Sequence, residues 1–240
     1  MPVLFVENLT VIDFTCLHAG RGLVGESWIV DIELHGALDA QGMVFDFGDV
    51  KKTVKREIDR LVDHRLLLPA ALAALEITEL PDGNVRMQWQ QDGEHLHVEC
   101  PPCALLRVPS PRIEPEGLGT WIAVQLRDVV PANVERIVVN LREERIDGAC
   151  YHYSHGLKKH AGACQRIAHG HRSRIEIEEN GVRNTTLERR WAAAFRDIYI
   201  GTSSDLATAT HEDHLRFGYV SGEGRFLLEL HRRHVYLIET

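Results

Sequence analysis

The sequence predicts an α+β fold built from two tandem units, each an antiparallel sheet with helices packed on one face. Three observations carry this reading. Alternating strand patterns recur along the chain, amphipathic helical patterns separate them, and the two halves repeat one order of elements. At 240 residues the chain is long enough for one large core or two small ones.

The elements follow in order. LFVENLTVIDFTCLH reads as a strand through the alternation around Val11, Asp13 and Phe14. After a Gly-rich turn, ESWIVDIELHG sets Trp28, Val30, Ile32 and Leu34 on one face and Asp31 and Glu33 on the other. FDFGDVKKTVKREIDRLVDH is an amphipathic helix. Its Phe47, Val50, Val54, Ile58, Leu61 and Val62 recur at three and four residues, with Asp46 suited to the N-cap. NVRMQWQQDGEHLHVECP is a hairpin about Asp92-Gly93. PEGLGTWIAVQLRDVV is a second helix and VERIVVNLREE a strand.

ACYHYSH is again strand-like and again ends in His. In HRSRIEIEENG, Ile175 and Ile177 alternate against Glu176 and Glu178. LERRWAAAFRDIYI reads as a helix, LRFGYVSGEGRFLLEL as a hairpin turning near residues 222–224, and VYLIET closes the chain. Each half therefore runs strand ending in His, Gly-containing connection, alternating strand, helix, hairpin. Setting Gly36 against Gly181 aligns Val30 and Ile32 with Ile175 and Ile177, and casts His18 in the role of His155. The expected units are residues 1–147 and 148–240. The second lacks the last helix and strand of the first, which suggests a missing C-terminal segment.

Composition bounds the function. Hydrophobic residues make up 44% and charged residues 26%, an ordinary globular balance. The net charge of -8 argues against a general nucleic-acid binder, because phosphate neutralisation needs a basic surface. The N-terminal MPVLFVENLT has no basic n-region, and no apolar run approaches a membrane span. These features predict a cytoplasmic protein with no membrane partner. Five cysteines, at 16, 100, 103, 150 and 164, show no disulfide-framework spacing, so they read as thiols, metal ligands or nucleophiles. CPPC at residues 100–103 has ligand-like spacing without a second pair and reads as a turn.

The chemistry concentrates in SHGLKKHAGACQRIAHGHRSRIEI. His169-Gly170-His171 puts two imidazoles on one face of an extended segment. His155 ends the preceding strand, and antiparallel pairing brings it beside them. Three imidazoles suit zinc and leave a fourth position open, the catalytic arrangement. The alternative is a set of surface histidines near a turn. Cys164 is a fourth ligand, a base or nucleophile beside the open position, or an inert buried thiol. In the first half, Val24 and Glu26 stand where His169 and His171 stand in the second, so the metal face is lost there. That half instead carries Asp63-His64 at the end of its helix, which is a proton relay if buried and a solvated charge pair if exposed.

These motifs resemble the 6-pyruvoyl-tetrahydropterin synthase and 6-carboxytetrahydropterin synthase family, the T-fold pterin enzymes. The resemblant residues are YSHGL (153–157), Cys164, HGH (169–171), Asp46-Phe47, DHRLLLP (63–69), a helix start at Pro115-Glu116 or at residues 110–114, and VVNLREE. The resemblance spans nearly the whole chain, as two tandem T-fold copies. It implies a zinc-dependent lyase acting on 7,8-dihydroneopterin triphosphate, with Zn2+ held by His155, His169 and His171. It further implies Cys164 as general base, Asp63 and His64 as the proton relay, and Glu143 as the anchor of the pterin edge. Asp213-His214 is a second, lower-ranked relay candidate. Lys158, Lys159, Arg166, Arg172 and Arg174 are candidates for the triphosphate.

Family members share the site between subunits. The fused halves are therefore expected to complete each other's site, and the chain to form a homo-oligomer. The product expected is 6-carboxytetrahydropterin, a queuosine precursor. The alternatives are the pyruvoyl-forming elimination and an inactive zinc-binding module. Glu239 in LIET superficially matches the pterin-binding strand end, but the repeat sets LIET beside ALLRVPS instead.

Overall fold

The computed structural model describes residues 1–207 and 213–239. The first alternating runs form two long antiparallel strands, β1 (Val3–His18) and β2 (Gly22–Gly36), joined by a tight turn. On one face of the pair Ile12, Phe14, Val30, Ile32 and Leu34 are buried. Helices cover that face. The Asp46 carboxylate accepts from the backbone N–H groups of Gly48 and Asp49 and starts α1 (Phe47–Asp49). A π-helical stretch, Val50–Val54, leads into α2 (Lys55–Val62). Val50, Val54, Ile58 and Val62 are fully buried in the core over the sheet.

β3 (Leu66–Pro69) follows, then a meander of β4 (Leu75–Glu79), β5 (Val85–Gln91) and β6 (Glu94–Cys100). Asp92 and Gly93 both adopt positive φ, 52° and 83°, which a tight two-residue hairpin turn requires. The CPPC segment makes one 3-10 turn, Pro102–Ala104. β7 (Leu105–Val108), α3 (Pro115–Gln125) and β8 (Val134–Glu143) complete the first half.

The second half contains β9 (Cys150–His155), β10 (His169–Arg174), the short β11 (Glu178–Glu179) and β12 (Val182–Arg183), and α4 (Thr185–Ala194). It continues with β13 (Ile198–Thr202), β14 (His214–Ser221), β15 (Gly224–His231) and β16 (Val235–Ile238). Two expectations change here. The alternating strand stops at Arg174, before Ile175 and Ile177. From Trp28 to His35, β2 is hydrogen-bonded on both sides, by β1 and β8, whereas among the described residues β10 pairs with β9 alone. The helix in LERRWAAAFRDIYI also stops early. Asp197 turns to φ 58°, and Ile-Tyr-Ile, β-branched and aromatic, enters β13.

The sheet orders are β7-β3-β1-β2-β8 and β10-β9-β13-β16. In both, the first two strands pair antiparallel and the next two join in parallel. Each sheet thus joins an antiparallel hairpin to a parallel flank. β16 pairs with β13 as β7 pairs with β3, which sets LIET level with ALLRVPS. The third sheet, β14-β15-β6-β5-β4, draws strands from both halves through the β15–β6 pairing. It covers a second core in which Leu66 and Leu68 meet Tyr199, Phe217, Phe226 and Leu228. Among the described residues, no helix is long and apolar enough to cross a membrane.

The two leading hairpins press together through four small residues. Thr15 pairs with Gly25 across β1–β2, and Ser154 with Gly170 across β9–β10. The Thr15 and Ser154 hydroxyls lie 2.8 Å apart and are buried. A Cβ on Gly25 would stand 1.9 Å from the Tyr153 carbonyl oxygen, and one on Gly170 would stand 2.5 Å from Gly25 Cα. Backbone therefore packs on backbone at this point.

Gly25→Ala is expected to destabilise the fold by about 3 kcal/mol, the upper end of overpacking costs. Urea unfolding reads this. Gly218→Ala, whose Cβ meets its nearest atom at an ordinary 3.6 Å, serves as the control. A Gly25→Ala midpoint no lower than that of Gly218→Ala would show that the contact is not tight.

Candidate metal and proton-transfer site

The register of β9 on β10 sets His155 directly opposite His169, with His171 two residues along the same face. Their ligand atoms lie within 4.8 Å of one another. Each imidazole is prepared differently. His169 is 1% exposed, and its Nδ1 lies 3.0 Å from the Arg166 carbonyl, to which it donates, leaving Nε2 free to ligate. His155 Nε2 is buried without a hydrogen-bond partner. An orphaned buried nitrogen is costly unless something else takes its lone pair. Burial, together with the charges of His171 and His64, pushes the His155 pKa down to about 4. Burial also holds His169 well below its ordinary value. Neutral imidazoles are the form that binds a metal, so these residues fit a divalent ion of the zinc type.

A second group reaches the same place from the first half. α2 ends at Val62, Asp63 turns into extended backbone, and His64 takes a left-handed φ of 55°. Its backbone N–H donates to the Asp13 carbonyl at 2.7 Å, which fixes the turn against β1. His64 Nδ1 donates to Asp63 Oδ2 at 2.6 Å, and His64 Nε2 lies 3.2 Å from Cys164 Sγ. The order Asp63, His64, Cys164 is that of a hydrogen-bonded relay. Burial pulls the His64 pKa down, but the hydrogen bond and charge of Asp63 outweigh it and the net shift is upward. Burial, then the Asp63 charge, raises the Cys164 thiol. The ring of His64 lies 4.8 Å from that of His169. His64, Cys164 and His169 form a second potential ligand trio that shares His169 with the first.

Cys164 rides on a connection pinned at many points. Residues 156–168 join β9 to β10, whereas residues 19–21 suffice between β1 and β2. Tyr219 donates to the Gln165 carbonyl at 2.8 Å and Tyr199 to the Ile167 carbonyl at 2.9 Å. Arg166 forks onto Glu223 at 2.8 and 2.9 Å. That pairing occupies one triphosphate candidate, and Lys158 is likewise engaged by Asp205 at 3.0 Å.

Six of the seven sequence-predicted residues thus come together: His155, His169, His171, Cys164, Asp63 and His64. Glu143 stands apart at the end of β8, half exposed, opposite Trp28. Its tie to the metal strand is an ion pair with Arg172 at 3.3 Å. His214 of the lower-ranked relay lies in the third sheet, its ring beside those of His95 and His231.

The equivalence of His18 with His155 is corrected. Thr15 and Ser154 occupy matching positions opposite Gly25 and Gly170, so His155 matches Cys16, and His18 lies two residues beyond at the exposed end of β1. The counterparts of the three histidines are therefore Cys16, Val24 and Glu26, and by the same register Asp13 corresponds to His152. Sequence reasoning missed Asp13, Ser27 and His152. The available signal was an acid flanked by buried Ile12 and Phe14 on a strand. It has to face something other than the apolar core.

A family model described as 6-pyruvoyl tetrahydropterin synthase matches residues 18–153. A Methanocaldococcus jannaschii protein with the provisional name 6-carboxy-5,6,7,8-tetrahydropterin synthase is 32% identical over 140 residues, 56% of this chain and 82% of that protein. A Pyrococcus horikoshii protein of the same provisional name is 23% identical over 128 residues, 50% and 68% respectively. Among solved structures, Plasmodium falciparum 6-pyruvoyl tetrahydropterin synthase superposes with TM-score 0.48 at 20% identity, covering 59% of this chain and 91% of that one. The Plasmodium vivax enzyme gives 0.45 at 20% identity, covering 60% and 98%.

The counterpart position yields a pH signature. Burial, with the nearby Glu143 charge, pushes the Glu26 carboxyl up to about 7, and burial lowers its neighbour His152. A carboxyl raised from 4.5 binds its proton in the folded state while the unfolded chain has released it. Its contribution is therefore fully present below pH 4.5 and lost as pH rises through 7. Glu26→Gln is expected to remove this loss, gaining on the order of 2 kcal/mol at pH 8 relative to pH 5. Urea unfolding at the two values measures it, and an equal effect at both would contradict the raised value.

Proposed function

Since the chain belongs to the 6-pyruvoyl tetrahydropterin synthase family, we propose that it is a zinc-dependent lyase of 7,8-dihydroneopterin triphosphate. The product is 6-carboxy-5,6,7,8-tetrahydropterin, the queuosine-route intermediate. One observation carries this: a hydrogen-bonded Asp63–His64–Cys164 series abuts three histidines whose ligand atoms lie within 4.8 Å. The family match ends at Tyr153, so support for the metal ligands is geometric. The carboxy-forming branch is favoured by the names of the two archaeal relatives, and the pyruvoyl-forming branch by the family description.

In this reading residues 1–147 and 148–240 are two T-fold copies of unequal use. The second supplies His155, His169 and His171 to hold zinc, and Cys164. The first supplies Asp63 and His64. When bound, zinc acts as a Lewis acid toward the hydroxyls of the substrate side chain. Asp63 orients His64 through Nδ1. His64 Nε2 takes the thiol proton, and the Cys164 thiolate removes a proton from the substrate side chain. Glu143 accepts hydrogen bonds from the amino-pyrimidinone edge, which requires Arg172 to release it in part. The chain works as a homo-oligomer in the cytoplasm, with no nucleic-acid or membrane partner. An inactive zinc-binding module is the reading left if zinc is held without turnover.

Incubation with 7,8-dihydroneopterin triphosphate is expected to yield 6-carboxytetrahydropterin by mass, with acetaldehyde released. Product retaining the full side chain after triphosphate loss would shift the reading to the pyruvoyl branch. Cys164→Ala is expected to lower kcat by at least about 100-fold, in the range of lost acid–base catalysis, while keeping zinc. His169→Ala is expected to lose the metal, as read by metal analysis of the purified protein. Equal activity in Cys164→Ala would remove Cys164 from the chemistry.

A further inference from the structure

Asp13, which belongs neither to the metal histidines nor to the proton relay, touches both, as Arg166 does through its backbone carbonyl and its guanidinium. Asp13 lies in the middle of β1, in the half without metal ligands. Its Oδ1 stands 3.3 Å from His171 Nδ1. The same oxygen accepts from the Ser27 hydroxyl at 2.5 Å, and Ser27 Oγ in turn accepts from the backbone N–H of Arg172 at 3.1 Å. The Asp13 backbone faces the relay. Its N–H donates to Asp63 Oδ1 at 2.9 Å, and its carbonyl accepts from the His64 N–H. Asp13 therefore touches both groups at once, with its side chain on one and its main chain on the other.

We infer that Asp13 is a positioning residue for the metal site: its carboxylate fixes the His171 ring with Nδ1–H toward Oδ1 and Nε2 toward the ion. Its backbone holds the Asp63–His64 relay at a set distance from that ring. The inference rests on the metal reading of His155, His169 and His171. A carboxylate on the far nitrogen of a ligating imidazole fixes its tautomer and orientation and raises its basicity. Here the carboxylate comes from the opposite half of the chain. The counterpart position retains a reversed pair. Glu26 lies 3.4 Å from His152, the acid again from the first half and the imidazole from the second. That pair has no metal triad beside it, since Cys16 and Val24 take the other places. It therefore supplies an internal control.

The test is zinc affinity, measured on the full chain by competition with a chromophoric chelator, alongside the thermal midpoint of the metal-free protein. Asp13→Asn keeps the backbone contacts to Asp63 and His64 and removes only the carboxylate. It is expected to weaken zinc binding about 10- to 100-fold, the range for lost outer partners of ligating imidazoles. Ser27→Ala, which only loosens the carboxylate, is expected to weaken it by a smaller factor. Glu26→Gln is expected to bind zinc as wild type does. If Asp13→Asn and Ser27→Ala bind zinc as tightly as wild type, the inference is overturned while the metal site stands. The same holds if Asp13→Asn lowers only the metal-free midpoint. If wild type itself takes up no zinc, the metal reading falls and the inference with it.

Discussion

The close approach of the two leading hairpins is the constraint on which the rest of this structure depends. Stacked sheets ordinarily sit about 10 Å apart, with side chains filling the gap. Gly25 and Gly170 remove that gap, and the Thr15–Ser154 hydroxyl contact satisfies the polar groups left there. Only at this separation does a carboxylate on β1 reach an imidazole on β10, or His64 reach Cys164. The site is thus a consequence of packing small residues, and bulk at either glycine would separate the two sets of groups.

The halves share a sheet plan, and the candidate site draws residues from both. The histidines stand on the β9–β10 hairpin and the relay stands at the end of α2. The thirteen positions between β9 and β10, residues 156–168, give Cys164 a long arm to cross from one half to the other. With three residues at the matching turn, the first half has no such arm. Its matching strand positions hold a buried thiol, an apolar side chain and a carboxyl with a raised pKa. That combination suits a packed interior and offers a metal no set of three imidazoles.

Much of the fold was legible because period and turn chemistry are local. The Asp92-Gly93 turn, the Asp46 cap and the helix stripe of Val50, Val54 and Ile58 all follow from neighbouring residues. The strand end at Arg174 was not legible, because it depends on whether a flanking strand is present. The boundary in FRDIYI was hidden by helix-forming residues running into β formers, with Asp197 marking the break through a backbone angle that sequence does not print. In the site, His155 could be set beside His169 through strand pairing alone. Asp13 and Ser27 could not be read, because their partners on β10, His171 and Arg172, lie more than a hundred positions away and are chosen by the stacking of two sheets. The same stacking decided that Cys16, and not His18, matches His155.

The third sheet has a consequence for how the chain comes to be made. Its central joint pairs Leu96 with Leu230 and Leu228 with Val98. Synthesised from its N-terminus, the protein completes β4, β5 and β6 long before β15 exists. Until then the edge of β6 offers unpaired backbone groups beside Leu96 and Val98, an invitation to pair with a neighbouring chain. Closing so long a loop is entropically slow, and folds dominated by such distant pairings reach their native state late. The nascent chain therefore passes through a period in which its first half is shaped but open-edged. The groups that would do its chemistry meet only after the β9–β10 hairpin has been made.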